Sequence, residues 1–400
     1  MHLPPKNFSP GEVYQCIKSF PSQKSPGYDL ITAEICQLPK KAILMLTYIL
    51  NATIRLSYFP LQWKFFTIIL IHKSNKPQNL PSSYRPISLL PFFSKVCEKL
   101  VLKRICPIIV NKKIIPEYQF SFRERHSILH QIHRLVDLIS LSLERKMYCS
   151  AIKLDISQAF DRIWHPGLLL KLHNILPLSY FLFFKNYLEN RSFSTRVGND
   201  LSPVYPINAG VPQDAISSPL LFNIYTSDQP TNLNTHVANY ADDKILIAVN
   251  KDPNTTSTHL QSQLNGMHNW FLKWRVKLNE SKSCHTTFTL YKKNPPQIYI
   301  NNIQIPTNTQ SKYLGLILDK RLTWSPHIHS KKLAINLRTR MLQILLNNQT
   351  KTSLHSKLII YKSLIKPMWT YGIELWGAAK ISNTNKIQTV QSKNWKKLHY

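Results

Sequence analysis

Three aspartates carry the chemistry that this sequence can do. Asp155 closes an apolar run in AIKLDISQAFD, and Asp242–Asp243 interrupt another in NYADDKILIA. Each stands where a strand pattern breaks, so the carboxylates belong to strand ends. The chain has only 20 acidic residues against 51 Lys and Arg. Carboxylates placed so deliberately in a basic protein suit a divalent cation held against an anionic substrate. Magnesium takes hard oxygen ligands, typically one or two carboxylates plus substrate phosphates. Two such ions can stabilise the attacking and leaving oxygens of an in-line displacement at phosphorus. Nucleotide addition to a hydroxyl is a reaction of that kind. A DD turn alone is an ordinary solvated hairpin tip. What sets this one apart is the second strand-terminal Asp, followed five residues later by Phe160. Neighbouring strand residues face opposite ways. Asp243 can therefore share the site only because the tip is a turn, and Asp242 is the stronger ligand. By spacing alone Phe160 reads as core, beside Ile163 and Trp164 on a helix capped by Ser157. The alternative is a ring packed beneath a nucleotide sugar.

The composition narrows the partners. A formal charge of +31 repels itself unless a polyanion screens it. Nucleic acid is the expected partner, because its phosphates reward Lys and Arg through counterion release. With 43% hydrophobic residues the chain can bury a core and is no disordered basic tail. Its 400 residues call for two or three lobes. The six cysteines (Cys16, Cys36, Cys97, Cys106, Cys149, Cys284) form no CxxC pair and no zinc spacing. They read as reduced core thiols of an intracellular protein. No run approaches the ~18 apolar residues of a membrane span. Ala42–Leu50 comes nearest and is broken by Asn51 and Arg55. MHLPPKNFSP has no apolar signal core. The expected setting is the cytoplasm and nucleus, with no membrane.

The elements that must position these residues follow from periodicity and breakers. Residues 1–60 read as helical, with one helix from Ile31 to about Ser57. Phe65–His72 reads as a buried strand, and residues 73–86 as a polar loop. Helices are expected over Ser94–Arg104, Ser127–Arg145, from Ser157, over Pro219–Tyr225 and over Leu260–Lys277. Tyr148–Ile156 reads as a strand ending at Asp155. Phe193–Val197 and Val204–Ile207 read as a hairpin. His236–Tyr240 and Lys244–Val249 form a second hairpin with the acidic pair at its tip. Residues 284–290, 297–305 and 311–318 read as single strands, and the chain after about 320 as basic helices. This is an α+β layer flanked by two helical segments.

Nine strings in this order carry a resemblance: KSPGYDLITAEI, YRPISLLPFFSKVCEKL, YQFSFRERHS, LDISQAFDRIWHPGLL, AGVPQDAISSPLLFNIY, YADD, HNWFLKWRVKLNESKS, KYLGLILDKRLTW and YGIELWG. Together they run from Lys24 to about Ala378. The chain resembles the reverse transcriptases of non-LTR retrotransposons, in particular the jockey type. The resemblance implies a right-hand fold with an antiparallel palm sheet. The expected division is a helical extension (1–60), fingers (61–147), palm (148–319) and a truncated basic thumb (320–400), with the reverse transcriptase domain over about 54–319. It implies RNA-directed DNA synthesis from a primer 3′-hydroxyl, with dNTPs, an RNA template and a DNA primer or target as partners. Asp155, Asp242 and Asp243 match the family's metal-binding triad, which would hold two Mg²⁺; Mn²⁺ accepts the same oxygen ligands. Phe160 matches its sugar-discriminating aromatic. Arg85 matches an arginine that meets the triphosphate, a task suited to a planar fork of donors. Lys73 can assist it, Gln213 falls in the loop lining the nucleotide and template, and Lys282 matches a lysine that protonates pyrophosphate. The solvated-lysine alternative stays open for Lys73 and Lys282.

The sequence also departs from the family's pattern. Asp214 stands where the family usually has Gly, adding bulk and charge near triphosphate. Leu30 replaces another usual Gly, Ser217 a usual Leu, and Lys244 a small hydroxyl residue. The endonuclease domain of such elements is missing, and the last residues leave the pattern. The chain therefore reads as a polyprotein fragment. The alternative to an active polymerase is a decayed copy that only binds nucleic acid. Trp324, Trp369 and Trp376 are either core or base-stacking platforms.

Overall fold

The computed structural model describes residues 5–34, 38–74, 76–293, 295–347, 350 and 352–399. Its strands, in chain order, are β1 (Phe65–His72), β2 (Tyr84–Leu89), β3 (Tyr148–Leu154), β4 (Arg191–Val197), β5 (Asp200–Leu201), β6 (Tyr205–Ile207), β7 (His236–Tyr240), β8 (Asp243–Asn250) and β9 (Cys284–Phe288). Two short hairpins follow, Tyr299–Ile300 with Ile303–Gln304 and Gln310–Tyr313 with Leu316–Asp319. The chain divides into two compact units, each assembled from separate segments. One comprises Met1–Phe122, Ser157–Gln229 and Trp270–Lys277; the other comprises Arg123–Ile156, Pro230–Asn269 and Leu278–Tyr400.

The first unit opens with the helix Pro10–Lys18. Ser9 and Glu12 close a reciprocal capping box at its start, which satisfies two otherwise unpaired N–H groups. Arg104, on the helix Phe92–Asn111, forks onto the Glu12 carboxylate at 2.9 and 2.7 Å. The expected helix from Ile31 is shorter, Lys40–Arg55, and starts after Pro39. Residues 35–37 of that expectation, Cys36 among them, lie outside the described residues. The unit's sheet runs β2-β1-β4-β5, with β6 also on β4. β1 and β4 pair in parallel, a long-range contact that no local pattern announces. β1 is less buried than expected: Phe66 and Thr67 are covered, but Ile71 is 50% exposed. Its outer half belongs to the β1–β2 hairpin rather than to a core.

The helix expected from Ser157 does not form. Residues 157–162 are turns and the helix starts at His165, with Pro166 in its first turn, where the missing N–H costs nothing. The cause lies in the partners: the carbonyls of Phe160 and Ile163 accept from the N–H groups of Val211 and Gly210 at 3.0 and 2.8 Å. Gln158, inside the expected helix, also takes φ 53, a left-handed conformation that an α-helix does not contain.

The second unit holds an antiparallel sheet of order β7-β8-β3-β9. The helix Ile128–Glu144, capped by Ser127, covers one face. Its Ile132, Leu135 and Ile139 pack with Cys149, Ala151, Ile245 and Ile247 of the sheet. The two stretches read as single strands, 297–305 and 311–318, are hairpins. Asn301 and Asn302 both have positive φ, the requirement of a type I′ turn. Leu314 and Gly315 reverse the other, Gly315 at φ 86. Trp324 and Trp376 are buried, and Trp369 packs against the same core, so these rings are packing residues rather than stacking platforms. Among the described cysteines Cys16, Cys97 and Cys149 are buried free thiols, while Cys106 is exposed. Among the described residues no helix is long and apolar enough to cross a membrane.

Candidate active site

The carboxylates meet at one end of the second unit's sheet. Tyr240 pairs with Asp243, so Ala241 and Asp242 alone make the tip of the β7–β8 hairpin. Ala241 takes φ 55 there. Leu154, the last residue of β3, lies opposite Lys244. Asp155 therefore leaves its strand beside the acidic tip. Its backbone is clamped by the turn at 279–283: Asp155 N–H donates to Ser283 Oγ at 3.2 Å, and its carbonyl accepts from Asn279 N–H at 2.8 Å. Ser283 Oγ in turn donates to the Asn279 carbonyl at 2.8 Å. Lys282 stands exposed on the same turn.

The three carboxylates are not equivalent. The Asp242 side chain reaches solvent, yet the protein around it displaces enough water to raise its affinity for a proton. Burial is the largest cause, and the negative charges of Asp243 and Asp155 add to it, against a bond from its own N–H and the charge of Lys153. Asp243 has a counterion: Lys153 Nζ lies 3.2 Å from its Oδ1. Strand alternation explains this. Lys153 pairs with Ile245, and Asp243 lies two residues from Ile245, on the same face. Lys244 faces the other way, fully buried, and burial pushes its ammonium down to about 7. Among the described residues no three His, Cys, Asp or Glu side chains form a ready metal-ligating group. Lys153 thus opposes the charge of Asp243, while Asp242 carries the repulsion of both neighbours, Asp243 first and Asp155 after it.

The expected nucleotide-contacting residues, other than Lys282, belong to the first unit. Arg85 lies exposed on β2, opposite Ile71. Lys73 follows β1, and its Nζ donates to the Ser82 carbonyl at 2.8 Å, which ties it to the hairpin loop. Phe160 is half-buried. Its ring stacks on Phe222 at 4.7 Å and meets Phe122 edge-on at 6.3 Å. These, not helical neighbours, are its packing partners. Gln213 donates its side-chain amide to both oxygens of Asp161, at 2.9 and 3.1 Å. Burial raises Asp161's proton affinity, and the Gln213 amide partly opposes this. Asp214 is exposed and adopts φ 73.

Lys153, Asp161 and Ser283 were not singled out from the sequence. Lys153 was findable, since it is the basic residue next to the end of the strand that leads into Asp155. Asp161 and Ser283 depend on loops whose paths local patterns do not give.

In the second unit an antiparallel sheet sets one aspartate at a strand end beside an acidic hairpin tip, and the fold class is α+β with the right-hand polymerase architecture. Residues 71–318 match the family model described as reverse transcriptase (RNA-dependent DNA polymerase), and the chain belongs to this family. It is 40% identical over 399 residues to the probable RNA-directed DNA polymerase from transposon X-element of Drosophila melanogaster, covering 98% of this chain and 44% of that protein. It is 36% identical over 407 residues to the RNA-directed DNA polymerase from mobile element jockey of the same species, covering 100% and 44% respectively. The chain thus spans less than half the length of these curated relatives. Among solved structures, a telomerase from Candida tropicalis in complex with an RNA fragment aligns at 12% identity and a TM-score of 0.45, over 92% of this chain and 62% of that one, too distant to add to the conclusion.

Proposed function

We propose that this chain is an RNA-directed DNA polymerase of the non-LTR, jockey type, adding dNTPs to a primer 3′-hydroxyl on an RNA template. The observation that carries this reading is the carboxylate end of the palm sheet, where Asp242 is charged with difficulty beside Asp243 and Asp155. Such a site is relieved by a hard cation, and Mg²⁺ needs only one or two protein carboxylates when substrate phosphates complete its shell. Asp155 and Asp242 would hold the ions, with Asp243 contributing less because Lys153 already neutralises it. When bound, the two ions stabilise the attacking and leaving oxygens; Mn²⁺ would be accepted by the same ligands.

The remaining roles fall to the chain's own side chains. The exposed guanidinium of Arg85 meets the triphosphate, and Lys73 stiffens the hairpin that carries it. Phe160, braced by Phe222, supports the sugar and leaves no room for a 2′-hydroxyl. Gln213 lines the nucleotide and template, and Lys282 Nζ supplies a proton to the departing pyrophosphate. The net charge of +31 fits a template–primer partner, with residues 320–400 as the thumb that follows its backbone, 61–147 as fingers and 148–319 as palm. Free thiols fit action inside the cell.

The test is primer extension on an RNA template with dNTPs and Mg²⁺, run beside Asp242→Asn. Extension that the variant loses supports the reading. Salt-sensitive template binding with no extension by the wild type would instead favour the inert, decayed copy, and the Asp214→Gly variant would then separate a damaged loop from a dead site.

A further inference from the structure

We propose that Asp161 is a positioning residue that fixes the orientation of the Gln213 side chain, so that Gln213 presents its carbonyl oxygen to a hydrogen-bond donor of the bound nucleotide. This deepens the polymerase reading and rests on it. The geometry is specific: the Gln213 Nε2 group donates to both carboxylate oxygens, at 2.9 and 3.1 Å. An ionised carboxylate can only accept. The amide nitrogen is therefore turned inward, and Oε1 is the atom left for a ligand. A partner with a hydrogen to donate, such as a hydroxyl or an exocyclic amino group, is what that oxygen recognises.

The loop does not need Asp161 for its backbone. Gly210 N–H donates to Ile163 O, Val211 N–H donates to Phe160 O, and Ser88 N–H donates to Gln213 O at 3.2 Å. The Pro212 carbonyl accepts from Ser218 Oγ at 2.8 Å, and the Gly210 carbonyl is 2.7 Å from His165 Nε2. Gly210 itself, at φ 85, lies so close to the Asp161 backbone that a Cβ would sit 2.6 Å from its carbonyl oxygen. With the main chain held at so many points, the Asp161 carboxylate is left with one task, the Gln213 amide.

The experiment is a double-mutant cycle in primer extension, with dNTP concentration varied for wild type, Asp161→Asn, Asp161→Glu, Gln213→Ala and the double variant D161N/Q213A. Asparagine offers a donor as well as an acceptor, so the Gln213 amide is free to turn over. The expected result for Asp161→Asn is a dNTP KM raised about tenfold, the scale of a hydrogen bond to a charged group, with kcat within about twofold. The same change should have no further effect in the Gln213→Ala background, and Asp161→Glu should recover part of the loss. Additive effects, or a fall in kcat and thermal stability at unchanged KM, would overturn the proposal. A second readout needs no turnover: the side-chain amide resonance pair that disappears in Gln213→Ala should shift in Asp161→Asn. An unmoved pair overturns the dyad even if the wild type is silent, whereas a silent wild type with a shifted pair counts against the polymerase reading alone.

Discussion

Lys153 stands between two jobs on β3, beside the acidic hairpin tip: its ammonium lies 3.2 Å from Asp243 Oδ1 and donates to the Lys312 carbonyl at 3.1 Å. The second aspartate of the YADD turn is therefore a charge already answered by the protein, while Asp242 is opposed by its neighbours. This ranks the carboxylates. Asp242→Asn should reduce single-turnover nucleotide incorporation at least about a thousandfold, roughly 4 kcal/mol of barrier. Asp243→Asn should cost only about tenfold, roughly 1.4 kcal/mol. Equal losses, or the reverse order, would remove the distinction drawn from Lys153.

The two positions where this chain replaces the family's usual glycine share one backbone property. Leu30 has φ 57 and Asp214 φ 73, the left-handed region that costs most residues about 1–2 kcal/mol. Aspartate tolerates it better than leucine. Leu30→Gly should therefore stabilise the first unit by about 1 kcal/mol, less whatever glycine adds to unfolded-chain entropy, and Asp214→Gly by less. Urea midpoints of the two variants check the order; a Leu30→Gly protein less stable than wild type would show that its exposed side chain matters more than its strain.

How much of this could be read from the sequence depends on whether the signal was local. β1, the β7–β8 hairpin and the helix capped by Ser127 are local patterns and form where their periodicity puts them, although β1 is half exposed and Asp243 lies inside β8 rather than at the tip. The parallel β1–β4 pair is not local, and neither is the Gly210–Val211 backbone that takes the carbonyls of Ile163 and Phe160 and so abolishes the helix expected from Ser157. The Asn301–Asn302 turn was legible in principle, since consecutive asparagines favour positive φ, but a short apolar run masked it. At the site, the aspartates announced themselves by breaking strand patterns. Asp161 did not, because a loop carboxylate has meaning only once the loop facing it is placed.

Acid should loosen the N-terminal helix through one carboxylate. Glu12 is held down at about 2, first by its hydrogen bonds from Arg104 and then by the Ser9 N–H. A carboxylate lowered on folding contributes stability above its ordinary value of 4.5, and that contribution is lost as pH falls through the folded value. Because the group lies near the surface, the loss will be modest and reduced by salt. Urea midpoints followed from pH 6 down to about pH 2 should fall more steeply for wild type than for Glu12→Gln. Parallel curves would show that the Arg104 pair contributes nothing on folding.

A buried acid holds the start of the helix Ser218–Tyr225, and it gives the departure at Ser217 a physical meaning. Glu98 is only 2% exposed. It accepts from Ser217 N–H at 3.0 Å, from Ser217 Oγ at 2.8 Å and from Ser94 Oγ at 3.2 Å. Ser217 Oγ also lies 3.1 Å from the Tyr187 hydroxyl, so one small side chain answers two buried polar groups. Leucine at this position, usual in the family's pattern, would remove both bonds. Glu98 would keep the Ser217 N–H and Ser94 Oγ, so Ser217→Leu should destabilise this protein by roughly 1–3 kcal/mol, the loss of one hydrogen bond to a charged group and one to a hydroxyl. Glu98→Gln keeps the shape and can still accept, so it should cost less than Ser217→Leu. Glu98→Ala opens a cavity and strands the Ser217 N–H, so it should cost more than either. Thermal unfolding of the three variants checks the ranking. A Ser217→Leu protein as stable as wild type would mean that Glu98 finds other donors, and that the hydroxyl network is incidental to how this helix is seated.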